Sequence, residues 1–526
     1  MGTSDLQAVT TELLRETRGS VYTKEWVVRL ILDLCAYTSD FDLACSSALE
    51  PAAGEGAFAL EMVKRLMESS RKFSRDPQEL GSALILFEID PVAAERLRYS
   101  IVSLLQDEGV SSKVAEDLCD SWIRVGDYLL STNKIPKVDF VLGNPPYIRL
   151  ENLDERFAAM YRRLFPTMRG RADIYVGFFE AGLRQLKEGG VCGFICADRW
   201  MRNSYGSHLR ALIHRLFSVD WIIELHEADA FEDEVDAYPA VTVIRRRSQE
   251  LVNIAEVVAQ TTLEGLRFRS IEPWLNDDEP WPNGDPESMA KLVAWNKLLS
   301  TLEEEATGTF VGIGVASGAD KIYVTRDEEL VEKNRLLPLA LGSDVSESGF
   351  TWSRHFLVNP WNEKGLVDLK LFPKLQQYFE SHSKSLKARH VGKKSEEKFY
   401  RTIDRVDYDL LTAEKLYIPD IRSRLVPVLD SGWTYPHHNL YFIISRDWDL
   451  EVLGGILLSE QAQLFISAYA MKMRGGFYRY QAQYLRRIRV PRLQNISEDD
   501  AQEFRDAFRD RDSARSTLRA NKFYPA

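Results

Sequence analysis

A-L-E-P-A-A-G-E-G-A-F-A-L, residues 48–60, decides the architecture. The short apolar run stops at Pro51, which lacks the N–H that a strand ladder needs. Gly54 and Gly56 then let the backbone turn tightly and pass close to a ligand, and A-F-A-L opens a helix. A strand, a glycine turn and a helix in that order begin a βαβ unit. Such a turn alone serves many nucleotides, or is only a tight turn.

Working outward, residues 24–37 have the apolar spacing of a helix. A-L-I-L-F-E-I-D reads as a buried strand, and R-V-G-D-Y-L-L and V-D-F-V-L-G-N as two more strand ends. A helix is expected around 174–187, then strands in G-G-V-C-G-F-I-C and V-D-W-I-I-E-L-H, with A-V-T-V-I-R-R closing the set. Strands separated by helices predict an α/β fold with a mainly parallel, doubly wound sheet. From about 270, P-W-L-N-D-D-E-P-W-P-N-G-D-P-E reads as a linker or surface loop, and a second domain with less regular periodicity follows. The highly charged last thirty residues predict a terminal helix.

A chain of 526 residues, 45% hydrophobic and 28% charged, suits two or three globular domains. No secretory signal and no long apolar run is present, so no membrane span is expected. Five cysteines make no disulfide framework and fit a reducing cytoplasm; Cys192 and Cys196 read as core residues of one strand face. The net charge of −12 is unevenly spread. Residues 311–526 carry 33 Lys/Arg against 29 Asp/Glu, a surplus of +4, while residues 1–310 carry 34 against 50, or −16. The densest basic stretch, residues 472–492, holds seven basic side chains, four aromatics and no acid. That interleaving suits phosphate contact and base stacking, the plain alternative being a solvated basic face. A second basic cluster comprises Lys384, Lys387, Arg389, His390, Lys393 and Lys394.

Several strand ends carry chemistry. Glu88, in F-E-I-D after the second strand, is placed to accept from ribose hydroxyls, with Ile89 free to lie against an adenine ring. Asp127, in G-D-Y after the third, could accept from an adenine amino group; an ordinary turn aspartate is the alternative. After the fourth comes N-P-P-Y, residues 144–147. With the glycine turn after the first strand, all four features fall where open α/β sheets bind ligands.

Taken together, this ordered series resembles the amino-methyltransferases that use S-adenosyl-L-methionine, whose hallmark is N-P-P-Y. The resemblance implies a Rossmann-like methyltransferase domain over 1–265, a connection over 266–306 and a C-terminal mixed α/β target-recognition domain over 307–526. It makes Thr23, Glu50, Pro51, Ala52, Gly54, Gly56, Glu88, Ile89, Asp127 and Asn144 cofactor-binding candidates. Asn144, Pro145, Pro146, Tyr147 and Phe231 become the catalytic candidates, and no metal is called for. An exocyclic amine is a poor nucleophile because its lone pair is delocalised. The Asn144 side-chain oxygen and the Pro145 carbonyl would accept its hydrogens and localise that pair, while Tyr147 stacks on the base. A base reaches such a pocket only by leaving the duplex.

N-P-P-Y is shared by DNA adenine, some RNA and protein-glutamine methyltransferases. R-G-S-V-Y-T-K, residues 18–24, is similar to the segment opening γ-class DNA N6-adenine methyltransferases, which usually have Pro where this chain has Lys24. Residues 230–244 resemble their loop carrying a base-facing aromatic, here Phe231, with Tyr238 as the alternative. A long domain after the catalytic one is also their order. The expected function is therefore site-specific adenine methylation of double-stranded DNA in a restriction–modification or defence system. An RNA or protein-glutamine N-methyltransferase is the alternative, and a non-catalytic DNA-binding subunit the third class. Any cognate restriction endonuclease is expected to be a separate polypeptide. The recognition-domain resemblance is more diffuse; Arg474, Arg479, Arg486, Arg487 and Arg489 are its DNA-binding candidates. His437 and His438 read as core or surface histidines before they read as base contacts.

Overall fold

The computed structural model describes residues 22–232, 238–273, 278–282, 284–394, 396–473 and 476–525. The chain divides into two compact units, Met1–Ala290 and Lys291–Ala526.

In the first unit, a nine-stranded sheet comprises β1 (Ala48–Glu50), β2 (Leu84–Glu88), β3 (Ile123–Val125), β4 (Val138–Gly143), β5 (Leu186–Ala197), β6 (Ser218–Glu224), β7 (Pro239–Arg245), β8 (Val252–Glu256) and β9 (Arg269–Ile271). Their spatial order is 3-2-1-4-5-7-6-8-9. Strands β3, β2, β1, β4 and β5 pair in parallel. β7 is antiparallel to both neighbours. The order reverses between β1 and β4, which is where open sheets of this kind open a crevice. All five residues of β2 are buried, as a strand covered on both faces requires. Helices α1 (Glu25–Leu34), α2 (Ala57–Lys72) and α3 (Pro91–Asp107) bury Val27 and Ile31, Met62 and Leu66, and Leu97 and Ile101 in one core. Cys192 and Cys196 are buried on β5, as expected.

A-V-T-V-I-R-R does not close the sheet: β8 pairs with β6, and β9 continues it to Ile271. These strands are five and three residues long, too short for periodicity to separate them from loop. The charged C-terminus likewise forms two helices, Glu498–Arg509 and Ser513–Ala520. Arg511 takes a positive φ between them, and Asp512 caps the second by accepting from the Arg515 amide.

The second unit is a mixed α/β domain. Its largest sheets have four strands each, one entirely antiparallel (Phe310–Ile313, Leu440–Ile444, Lys415–Pro419 and Val428–Asp430). Among the described residues, no helix is long and apolar enough to cross a membrane.

Candidate active site

The carboxyl ends of β1 to β4 surround a cleft of about 980 Å³, its open mouth included. Thr23, Glu50, Pro51, Ala52, Gly54, Glu88, Ile89, Asp127, Asn144, Pro145, Pro146 and Tyr147 line it. Gly56 stands just behind, at the start of α2, with φ +108°. A Cβ there would lie 2.8 Å from Leu97 Cδ1, so glycine serves both the turn and the helix contact.

Glu88 turns its carboxylate back onto the glycine turn. Oε2 accepts from the Gly54 amide and Oε1 from the Asp90 amide, both at 2.8 Å. Burial raises its pKa against those two bonds. Asp127 caps the turn after β3 by accepting from the Leu130 amide, and its other oxygen accepts from Tyr161 Oη at 2.5 Å. Burial raises this carboxyl too, opposed by the tyrosine bond. Glu50 lies deepest: burial, then the Glu88 charge, pushes its carboxyl well above the usual range. Its Oε2 is buried with no hydrogen-bond partner among the described residues. An enclosed acid with an open acceptor suits a cationic ligand that donates hydrogen bonds; the protonated amino group of S-adenosylmethionine donates them, and its sulfonium adds positive charge. Residues and cofactor therefore fit.

Asn144 donates from Nδ2 to Thr23 Oγ1 at 3.1 Å. Tyr147 is partly buried, its ring centroid 6.2 Å from Tyr175 and 6.3 Å from Phe231. Phe231 is buried and joins Thr23 in an isolated antiparallel bridge, beside the N-P-P-Y segment although off the cleft wall. Tyr238, the other candidate, packs on His226 at 5.1 Å, and its carbonyl accepts from the Asp198 amide. Sequence reasoning missed Tyr161, which holds Asp127, and the wall residues Phe58, Ile174 and Phe178. Tyr161 sits on helix α4 (Glu155–Leu164), where its apolar spacing signals only core.

In the second unit, Arg486 donates to the Val311 carbonyl at 2.9 Å and pairs with Glu303 at 3.2 Å. Arg489 donates to Asn296 Oδ1, and Arg479 pairs with Asp420. Arg487 is half-buried, and Arg474 lies outside the described residues. In the other basic cluster, Arg389 turns inward onto the carbonyls of Ser317, Phe399 and Arg401. Lys384, Lys387, His390, Lys393 and Lys394 are exposed. His437 is buried and bonded to Asp320 at 3.1 Å, while His438 is nearly half exposed.

The first unit is thus a Rossmann-like methyltransferase domain, followed by a separate α/β specificity domain. The Eco57I restriction-modification methylase family matches residues 87–231, and the TaqI-like C-terminal specificity domain matches 337–490. The chain is 39% identical to the type II methyltransferase M.PaeR7I of Pseudomonas aeruginosa, over 96% of this chain and 91% of that one. It is also 39% identical to M.XhoI of Xanthomonas vasicola, over 91% and 92%, and 36% identical to M.BstVI of Geobacillus stearothermophilus, over 93% and 92%. The type IIL restriction-modification enzyme MmeI, solved in complex with DNA, shares the fold with a TM-score of 0.57 at 13% identity, over 99% of this chain and 72% of that one. The chain belongs to the type II DNA methyltransferases of restriction–modification systems. That membership supports S-adenosylmethionine as its cofactor.

Proposed function

We propose that this protein methylates the N6 amino group of a flipped-out adenine at one sequence in duplex DNA, protecting that sequence from a separate cognate endonuclease. The observation that carries the reading is the position of Asn144-Pro145-Pro146-Tyr147, at the end of β4 and on the wall of the cleft that Glu50, Glu88 and Asp127 line. Bound S-adenosylmethionine would supply an electrophilic methyl group. Glu88 is assigned the ribose hydroxyls, Ile89 an adenine face, Asp127 the adenine amino group, and Thr23 with Glu50 the methionine end.

At the target base, the Asn144 side-chain oxygen and the Pro145 carbonyl accept the two amino hydrogens. That draws the nitrogen lone pair out of the ring and toward the methyl group. Flanking prolines hold the acceptors in place before the base arrives, so little reorganisation is needed at the moment of reaction. Once alkylated, the nitrogen is acidic and sheds a proton without a strong base. Tyr147 covers one face of the base and Phe231 the other. Their rings now stand edge to face at 82°, so one must turn for a base to lie between them.

Phosphate contact in the specificity domain is assigned to the outward-facing lysines and Arg487, because Arg479, Arg486 and Arg489 hold partners of their own. The testing experiment is modification-sensitive sequencing of DNA from cells expressing the protein, beside an Asn144→Ala control. N6-methyladenine at one motif, absent from the control, is the expected result. Methylcytosine at the motif, or no modification, overturns the assignment of the acceptor.

A further inference from the structure

We propose that Lys24 is a positioning residue. Its backbone amide latches the cofactor-lining strap Tyr22–Lys24 to the loop carrying Phe231, so that filling the cofactor cleft and capturing the target base are energetically coupled. The inference rests on the function proposed above.

The strap has two faces. On one, Tyr22 and Thr23 line the cleft, and Thr23 Oγ1 accepts from Asn144. On the other, Lys24 N–H donates to the Ala230 carbonyl and Glu232 N–H to the Tyr22 carbonyl, both at 3.0 Å. These two bonds bracket the Thr23–Phe231 bridge. Lys24 Nζ also pairs with Asp229, whose carbonyl accepts from Trp26 Nε1 at 3.3 Å. Tyr22 and Thr23 thus line the cofactor wall, while Tyr22, Thr23 and Lys24 together bond to the segment 230–232 that carries the base-facing aromatic. A ligand that fixes the strap fixes the backbone of residues 230–232 with it.

Charge is the minor part of the latch. The Asp229 side chain is 82% exposed, and ion pairs in such settings contribute little. The amide is the larger part, and this chain's own sequence supplies it. Lys24 has φ −63°, an angle proline adopts without strain, so a proline there would leave the strap's path intact and delete the donor to Ala230 together with the side chain, whose loss Lys24→Ala reproduces alone. Coupling between two binding sites is reciprocal, and typical factors are roughly 5- to 150-fold.

The test uses a duplex bearing the motif found by sequencing, with 2-aminopurine at the target adenine. Its dissociation constant is measured with and without S-adenosylhomocysteine. For the unaltered protein the two values should differ by roughly tenfold. In Lys24→Pro the ratio should fall toward one, while Lys24→Ala, which keeps the amide, should retain it. Glu232→Pro deletes the other ladder bond and should act like Lys24→Pro, which covers the case in which one proline variant does not fold. A ratio of one in the unaltered protein, or an unchanged ratio in a folded proline variant, overturns the proposal. Hydrogen exchange on the unaltered protein gives an independent reading: S-adenosylhomocysteine alone should slow exchange at the Lys24 and Glu232 amides, and protection ending at Thr23 counts against the latch. Failure of adenine methylation itself would instead remove the functional reading beneath it.

Discussion

At the residue scale, the cleft is built on acids held away from water. Glu50, Glu88 and Asp127 all have carboxyls raised by burial. At these three groups the native state therefore holds more protons than the unfolded chain once pH exceeds about 4.3, the free glutamate value. The contribution of these three groups to the stability of the cofactor-free protein falls as pH rises from there through the raised values, by about 1.4 kcal/mol per unit for each proton held. Glu50→Gln keeps the shape and removes one such proton, so its stability by urea denaturation, minus that of the unaltered protein, should increase between about pH 5 and 7. Glu88→Ala loses the acceptor for the Gly54 and Asp90 amides together with the assigned ribose acceptor. Calorimetry should record cofactor affinity lowered by roughly 10- to 100-fold, the scale of a hydrogen bond to a charged group. Asn144→Ala should lose turnover by a factor on the order of 10²–10³, as for removal of one aimed polar group, and still bind S-adenosylhomocysteine.

At the element scale, the site was legible because strand ends announce themselves. Pro51, Asp90 with Pro91, and Pro145-Pro146 each stop a continuous apolar run, leaving Glu50, Glu88 and Asn144 at the last positions of their strands or one step beyond. Contacts that bridge distant segments were not legible. Tyr161 reaches Asp127 from a helix 34 residues further on. Arg486 finds the Val311 carbonyl across 175 residues, and local composition cannot distinguish such an arginine from one facing solvent. The two basic stretches consequently predict different phenotypes. Replacing Lys384, Lys393 and Lys394 by alanine should weaken specific and nonspecific duplexes alike. It should also flatten the plot of log affinity against log salt by about 0.9 for each phosphate no longer neutralised. Arg486→Ala should leave that slope unchanged and instead lower the melting temperature of the C-terminal unit, by about 2–4 °C for each kcal/mol of stability removed.

On the scale of the whole molecule, charge and chemistry are divided between the two units. Residues 1–290, with 32 Lys/Arg against 47 Asp/Glu, carry −15 beside the cofactor cleft, and residues 291–526, with 35 against 32, carry +3 with the specificity domain. A net-acidic protein can still bind DNA, because local patches rather than the sum set the field that a phosphate meets. Two units with separate cores should also unfold separately. Differential scanning calorimetry should resolve two transitions. S-adenosylhomocysteine at a hundred times its dissociation constant should raise the first unit's transition, with a stabilisation of about 2.7 kcal/mol, and leave the other in place.

The antiparallel β7 has a consequence for how such a protein can change. Because β7 runs back between β5 and β6, the connection from Glu224 to Pro239 is a hairpin that leaves and re-enters the sheet on the rim where N-P-P-Y stands. Its described part is bonded to the start of α1, through Lys24 N–H to the Ala230 carbonyl and Trp26 Nε1 to the Asp229 carbonyl. Residues 230–232 within it, which carry the base-facing Phe231, are held in register with the strap Tyr22–Lys24. An engineer seeking a different target base would begin with this connection, keeping the two backbone bonds that tie residues 230–232 to the cofactor strap.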